Sequence, residues 1–255
     1  MLTRLFMVFE AVDGLLAAFL PDLIRVCIWG AAGGGVAVGL YGWLSDQAGI
    51  AELKQKAAGL RARMLREDRD FGAFVGLARE NLGVALRLCG KVLGPALVSF
   101  AVVLMLVQWV GGAYAYRLPE SGEGVPVRVS PRLEKLSYEP ERAFTRGNDG
   151  RVVFLPEMMS SGETVKIEHD GRLLYSGCPL DPPTRDVTRK SWWNLLFAAR
   201  AGYVEPDIPV DRLRFGFQER EFVGFLPARL SSWEFPFFVC LTAAALAVKF
   251  GFRIR

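Results

Sequence analysis

Three apolar runs divide the chain. Val26 to Leu44 carries no charge, Val92 to Gly111 is interrupted only by Ser99 and Gln108, and about Phe235 to Phe252 forms the third. Each approaches the roughly 20 residues that carry a helix across about 30 Å of hydrocarbon. Ahead of them, Met1 to Leu20 mixes Leu, Phe, Met and Val with Thr3, Glu10 and Asp13 near one helical face, which predicts an amphipathic helix with a wide apolar side, suited to the head-group boundary. A signal peptide is the competing reading. The acids Glu10 and Asp13 and the lack of a small-residue cleavage site speak against it.

Between the first two runs, Ser45 to Lys91 changes character. Ile50, Leu53, Ala57, Leu60 and Met64 alternate by three and four, the seam of a coiled-coil helix, and Phe71, Phe74, Ala78 and Leu82 suggest a second apolar stripe. Arg66-Glu67-Asp68-Arg69-Asp70 before Gly72 predicts the turn of an antiparallel hairpin. The segment is rich in Lys and Arg, and a short basic loop stays on the cytoplasmic side. The amino terminus is then outside and the long segment after the second run exported. The third run returns inward to Lys249, Arg253 and Arg255, with Trp233 marking its outer interface.

The exported segment reads as β structure. After a Pro119 to Gly124 linker come Val125–Val129, Arg151–Leu155, Thr164–His169, Arg172–Tyr175, Arg212–Phe217 and Arg220–Phe225. Asp170-Gly171 is a two-residue hairpin signal, and Leu213, Phe215 and Phe217 alternate as one buried face would. A small sandwich or a partial barrel fits. Ser191 to Arg200, with Trp192 and Trp193, predicts a short amphipathic helix covering the sheet or resting on the membrane interface. The organisation expected is 1–20 interfacial helix, 21–44 first span, 45–91 cytoplasmic helical hairpin, 92–116 second span, 117–232 extracytoplasmic β-rich domain, and 233–255 third span with a basic tail.

The order of span, cytoplasmic hairpin and span resembles the YidC/Oxa membrane-protein insertase superfamily, most closely its three-span archaeal YidC-like and endoplasmic-reticulum branch. The residues that carry the resemblance are Leu44-Ser45-Asp46-Gln47 leaving the first span, the stripe Ile50/Leu53/Leu60/Met64, and Leu88-Cys89-Gly90-Lys91-Val92-Leu93-Gly94-Pro95 entering the second. The resemblance implies an insertase or intramembrane chaperone that passes polar client segments through a hydrophilic groove without covalent chemistry. It places Tyr41, Ser45, Gln47, Ser99, Gln108 and Thr242 along that groove. Lys54, Lys56, Arg61, Arg63, Arg66 and Arg69 would meet hydrophobic client segments, a ribosome or other membrane subunits. Two features depart from the pattern: the first span has the uncharged Val38-Gly39-Leu40 where many bacterial members keep a basic residue, and the exported domain is unusual for three-span members. That domain favours a second reading, a non-catalytic anchor or assembly subunit whose extracytoplasmic part binds a partner.

Composition agrees with a membrane chain that has a water-exposed part: half of its 255 residues are apolar and mean hydropathy is +0.24. The net charge of +4 sits largely beside span ends, pointing to topology rather than a nucleic-acid sequence. Ala, Gly and Arg usage suggests a prokaryotic inner membrane. Cys27, Cys89, Cys178 and Cys240 lack Cys-x-x-Cys spacing, and His169 stands far from any of them, so neither metal nor cofactor is expected. No nucleophile and base, carboxylate pair or phosphate loop marks an enzyme. Gly30/Gly34 and Gly35/Gly39 have the small-xxx-small spacing that serves either packing among the spans or homodimerisation.

Overall fold

The computed structural model describes residues 2–66, 71–131, 133, 136–147, 151–160, 163–180, 183, 185–191, 203–204, 207–224, 227 and 230–252. The described residues include the helices α1 (Leu2–Ala17), α2 (Asp22–Leu44), α3 (Gln47–Met64), α4 (Phe71–Tyr114) and α5 (Glu234–Gly251). Among them α2, α4 and α5 are long and apolar enough to cross a membrane. The chain divides into two compact units, Met1–Val26 with Val107–Phe235, and Cys27–Leu106 with Pro236–Arg255.

In the second unit, the hairpin and second span expected as separate helices are one helix of 44 residues with Pro95 inside it. Leucine, alanine and valine dominate on both sides of Lys91 and favour the helix, which carries through Gly90, Gly94 and Pro95 without a break. Asp46 caps α3, its carboxylate accepting the Gly49 backbone N–H at 2.9 Å. The expected α3 seam is its packed face: Ile50, Ala57 and Leu60 are buried. It meets Leu77 and Val84 of α4, while Lys56–Glu80 at 2.9 Å and Asp46–Lys91 at 2.7 Å show that the two helices run antiparallel. The stripe expected on the partner is corrected here. Phe71 and Leu82 are 80% and 60% exposed, because Leu77 and Val84 occupy the opposite side of the helix and take the contact with α3. The turn Glu67 to Asp70 lies outside the described residues.

In the first unit, strands follow α4. β1 (Val125–Ser130), β3 (Phe144–Arg146), β4 (Val152–Phe154), β7 (Asp186–Thr188) and β8 (Arg212–Phe215) form an antiparallel sheet in the order β3-β4-β1-β8-β7. β2 (Leu136–Glu139), β5 (Val165–His169) and β6 (Arg172–Gly177) form a second sheet in the order β2-β5-β6. Both sheets feed one core, in which Phe154, Ile167, Val187, Leu213 and Phe215 are buried. This is the sandwich rather than the barrel. The Asp170-Gly171 turn joins β5 to β6 with φ of 47° and 75°, the positive values a two-residue hairpin requires. Leu213, Phe215 and Phe217 are all buried, as their alternation predicts.

Three expectations change. Arg220–Phe225 forms no strand over its described residues, because this segment turns back onto the end of α4, where Arg220 N donates to Ala115 O at 3.0 Å. Pro119 to Gly124 is a pinned turn rather than a loose linker: Arg117 reaches Glu120, Glu123 and Gln218, and its backbone N–H donates to Gln218 O at 3.1 Å. Trp233, expected to mark the outer interface of the third span, packs against Gly111 and is buried. The helix expected at Ser191 to Arg200 falls, beyond Ser191, outside the described residues, as do Asn148 to Gly150, Ser161-Gly162, Arg253 and Arg255.

The core also fixes how the sandwich responds to base. Burial pushes the Tyr175 hydroxyl well above its ordinary value, with Cys178 adding to the shift. Below about pH 10 the phenol is protonated in both states and has no effect. Above it the unfolded chain ionises first, so stability falls as pH rises toward the folded value. Tyr175→Phe is therefore expected to move the alkaline unfolding midpoint of the sandwich to higher pH, followed by tryptophan fluorescence. An unchanged midpoint would show that another group governs alkaline unfolding.

Candidate functional site

Within the second unit the spans meet at one face of α2. A side chain at Gly30 would strike the Phe237 carbonyl oxygen, at Gly34 the Leu241 carbonyl oxygen, and at Gly33 the Leu106 side chain. These three glycines are buried, and the backbones of α2 and α5 touch there. Glycine is required because a Cβ needs the space that a carbonyl already fills, and in lipid this close approach is how helices associate. Gly30/Gly34 thus serves packing within the chain, whereas Gly39 has nothing within 4 Å. Beside this contact the Cys27 and Cys240 thiols are neighbours. All four cysteines are unbridged.

The six polar residues assigned to a groove fall in different settings. Ser45 is buried and accepts a hydrogen bond from the Gln47 side chain, so these two are brought together where α2 passes into α3. Tyr41 is half-buried one turn earlier. Ser99 is buried, but its hydroxyl donates to the Pro95 carbonyl oxygen of its own helix at 3.0 Å. That bond satisfies the hydroxyl without any second helix. Gln108 is half-buried nine positions further along α4, and at 3.6 residues per turn this is about 180° around the axis from Ser99. Thr242 is exposed on α5.

The basic residues of the hairpin share a more open surface. Lys54, Lys56, Arg61, Arg63 and Arg66 are exposed. Lys56 is tied to Glu80, and Arg69 lies outside the described residues. At the open end of the pair, the Lys91 ammonium and then the Gly49 N–H hold the Asp46 carboxyl below its usual range.

The first unit holds a charged cluster that span counting does not reveal. Arg25 donates to the Asp13 carboxylate at 2.6 Å and also to Asp22, with exposures of 12% for Arg25 and 14% for Asp13. Asp22 is shared with Arg220. The Tyr114 hydroxyl donates to Asp13, and Arg25 lies 5.3 Å from the Tyr114 ring centroid. Phe222 and Trp109 stand edge-on to the same ring. Two acids and two arginines balance, so the group is neutral as a whole. It joins α1, the first turn of α2, the last turn of α4 and the segment at 220–222. The polar side of α1 therefore turns inward at Asp13, while Met7 and Leu15 stay exposed. The signal was present in the sequence: a carboxylate in an apolar helix is costly unless a partner meets it.

His169 is half-buried. Its Nδ1 is without a hydrogen-bond partner, and its Nε2 stands 3.5 Å from Asp170. Among the described residues no three His, Cys, Asp or Glu side chains gather to hold a metal ion. Comparison with known proteins matches no family model, no curated protein and no solved structure.

Two outcomes follow from this geometry. Gly34→Ala must displace α5 backbone, so it is expected to lower the thermal midpoint of the detergent-solubilised protein sharply, while Gly39→Ala leaves it unchanged or slightly higher. Equal effects would remove the close-packing account. In the charged cluster, Arg25→Met removes the cation that faces both Asp13 and Asp22, leaving the largely buried Asp13 carboxylate without its charge partner, and is expected to cost about 3 kcal/mol or more. Arg220→Met leaves Asp22 paired with Arg25 and, at 39% exposure, costs about 1 kcal/mol or less. Chemical denaturation in a fixed micelle compares the two, and the reverse order would overturn the assignment.

Proposed function

We propose that this protein is a non-catalytic membrane anchor and assembly subunit that binds a partner through its β-sandwich. The observation that carries this reading is the glycine contact between α2 and α5, which brings backbone against backbone where a polar passage would need space. The self-satisfied hydroxyl of Ser99 and the outward position of Thr242 support it further. The sandwich has a firm base in its own unit, since residues 115–117 pair with 218–220 and the charged cluster ties that base to α1 and the first turn of α2. In this reading the sandwich is extracytoplasmic, the amino terminus lies outside, and the basic hairpin and carboxyl terminus lie in the cytoplasm of a prokaryotic inner membrane. No cofactor, metal or covalent step takes part.

A second reading draws on the antiparallel pair of α3 and α4. With exposed Lys54, Arg61, Arg63 and Arg66 beside it, this pair is the kind of coiled-coil hairpin with which the resembled insertases meet clients. An insertase of that kind would hold hydrophobic client segments against Tyr41, Ser45, Gln47, Ser99, Gln108 and Thr242, with a ribosome or another membrane subunit at the hairpin.

Site-specific photocrosslinking in intact membranes separates the readings. Probes at the exposed sandwich residues Met158 and Leu173 are expected to trap one defined protein, and probes at Gln108 and Thr242 to trap no nascent single-span substrate. Substrate adducts at Gln108 or Thr242 would overturn the anchor and establish the insertase.

A further inference from the structure

We propose that the protein is a parallel homodimer joined along α4, and the inference stands apart from either reading of its function. Between residues 71 and 96 this helix repeats apolar side chains at alternating steps of four and three: Phe71, Val75, Ala78, Leu82, Ala85, Cys89, Val92 and Ala96. That is more than three heptads without a charged residue at any seam position, the length at which a heptad pattern specifies a coiled coil. Side chains that α3 takes up, Leu77 and Val84, lie on a different side of the helix. Most of the seam is open: Phe71, Val75 and Leu82 are 80%, 39% and 60% exposed, Ala85 and Cys89 are exposed with them, and Ala78, Val92 and Ala96 are half-buried.

Lipid accounts for only part of that exposure. With 44 residues α4 is about 66 Å long, roughly twice the thickness of the hydrocarbon. Arg79, Glu80, Arg87 and Lys91 mark its first half as the water-exposed part, and it is there that Phe71, Val75 and Leu82 stand uncovered. The occupant must be apolar both within the bilayer and beyond it, and must follow the same course for about 40 Å. A second α4 meets each requirement. Copies inserted in one orientation run parallel, and a two-fold axis along the seam sets each residue against its own mate, the arrangement of an isologous dimer. Its layers mix the larger Phe71, Val75, Leu82 and Val92 with the smaller Ala78, Ala85, Cys89 and Ala96, with no like charges opposed. Ten seam and flanking side chains, Leu86 and Leu93 included, at about 60–120 Å² each give roughly 600–1,200 Å² per protomer, against about 800 Å² for a standard stable interface.

Cys89 lies on the seam and supplies the test. In Cys27→Ser, Cys178→Ser, Cys240→Ser protein in nanodiscs, a short bismaleimide is expected to join Cys89 to Cys89 and yield a species of twice the monomer mass. Moving the thiol off the seam, by Cys89→Ser with Arg87→Cys, is expected to abolish it. Leu82→Glu, which sets two carboxylates together in the seam, is expected to lower the dimer fraction by about tenfold or more. Should the triple variant fail to fold, the wild-type chain is crosslinked and the joined peptides identified by mass spectrometry. A monomeric mass, equal crosslinking at position 87, or a dimer indifferent to Leu82→Glu overturns the proposal. So does a Cys89 adduct in native membranes that holds a different protein in place of the second copy.

Discussion

Contact between the backbones of α2 and α5 at Gly30 and Gly34 constrains the membrane-spanning part of this chain more than any other interaction. Lipid tails are as apolar as leucine, so burying hydrophobic area cannot draw helices together in a bilayer as it does in water. Close approach, with many dispersion contacts at short range, takes its place. Glycine at these two positions permits that approach, and Leu106 fills the hollow over Gly33. One face of α2 is thereby committed. Val36 and Trp43 are left exposed elsewhere on the helix, where lipid is the natural solvent for them.

Much of this architecture was legible because the signals were long or regular. Three runs near the length of a bilayer marked the spans, and alternation with an Asp-Gly turn marked β5, β6 and β8. What escaped was short or depended on neighbours. β2, β3 and β7 have three or four residues each and mix Glu, Arg, Thr and Asp with few apolar positions, so their sequences carry little period. Arg220–Phe225 has β-like composition, but Arg220 is claimed by Ala115 through its backbone and by Asp22 through its side chain before a sheet can use it. Helix α4 shows the limit most clearly. It carries two apolar stripes, and periodicity alone does not say which faces α3. The packed choice is the stripe whose Val84 meets the small Ala57, leaving the bulkier Phe71 and Leu82 outside.

The candidate site divided in the same way. Residue type marked Ser45 and Gln47 as candidates to line a groove, and the fold pairs them with each other. It could not foresee that Ser99 would bond to its own helix, nor that Asp13 would seek Arg25 rather than the head groups of a membrane surface. Both outcomes share one cause. A polar group in an apolar setting takes the nearest competent partner, and only the fold decides which is nearest.

That same rule bears on where function resides. Charges at Asp13, Asp22, Arg25 and Arg220 neutralise one another, which makes the cluster a fastening rather than a site poised for an ion or substrate. The hydroxyl within α4 is occupied, and the glycine face is filled by backbone. With the charged cluster, the Ser99 hydroxyl and the glycine face engaged, the surfaces left exposed are the sandwich, the basic side of α3, and the uncovered stripe of α4.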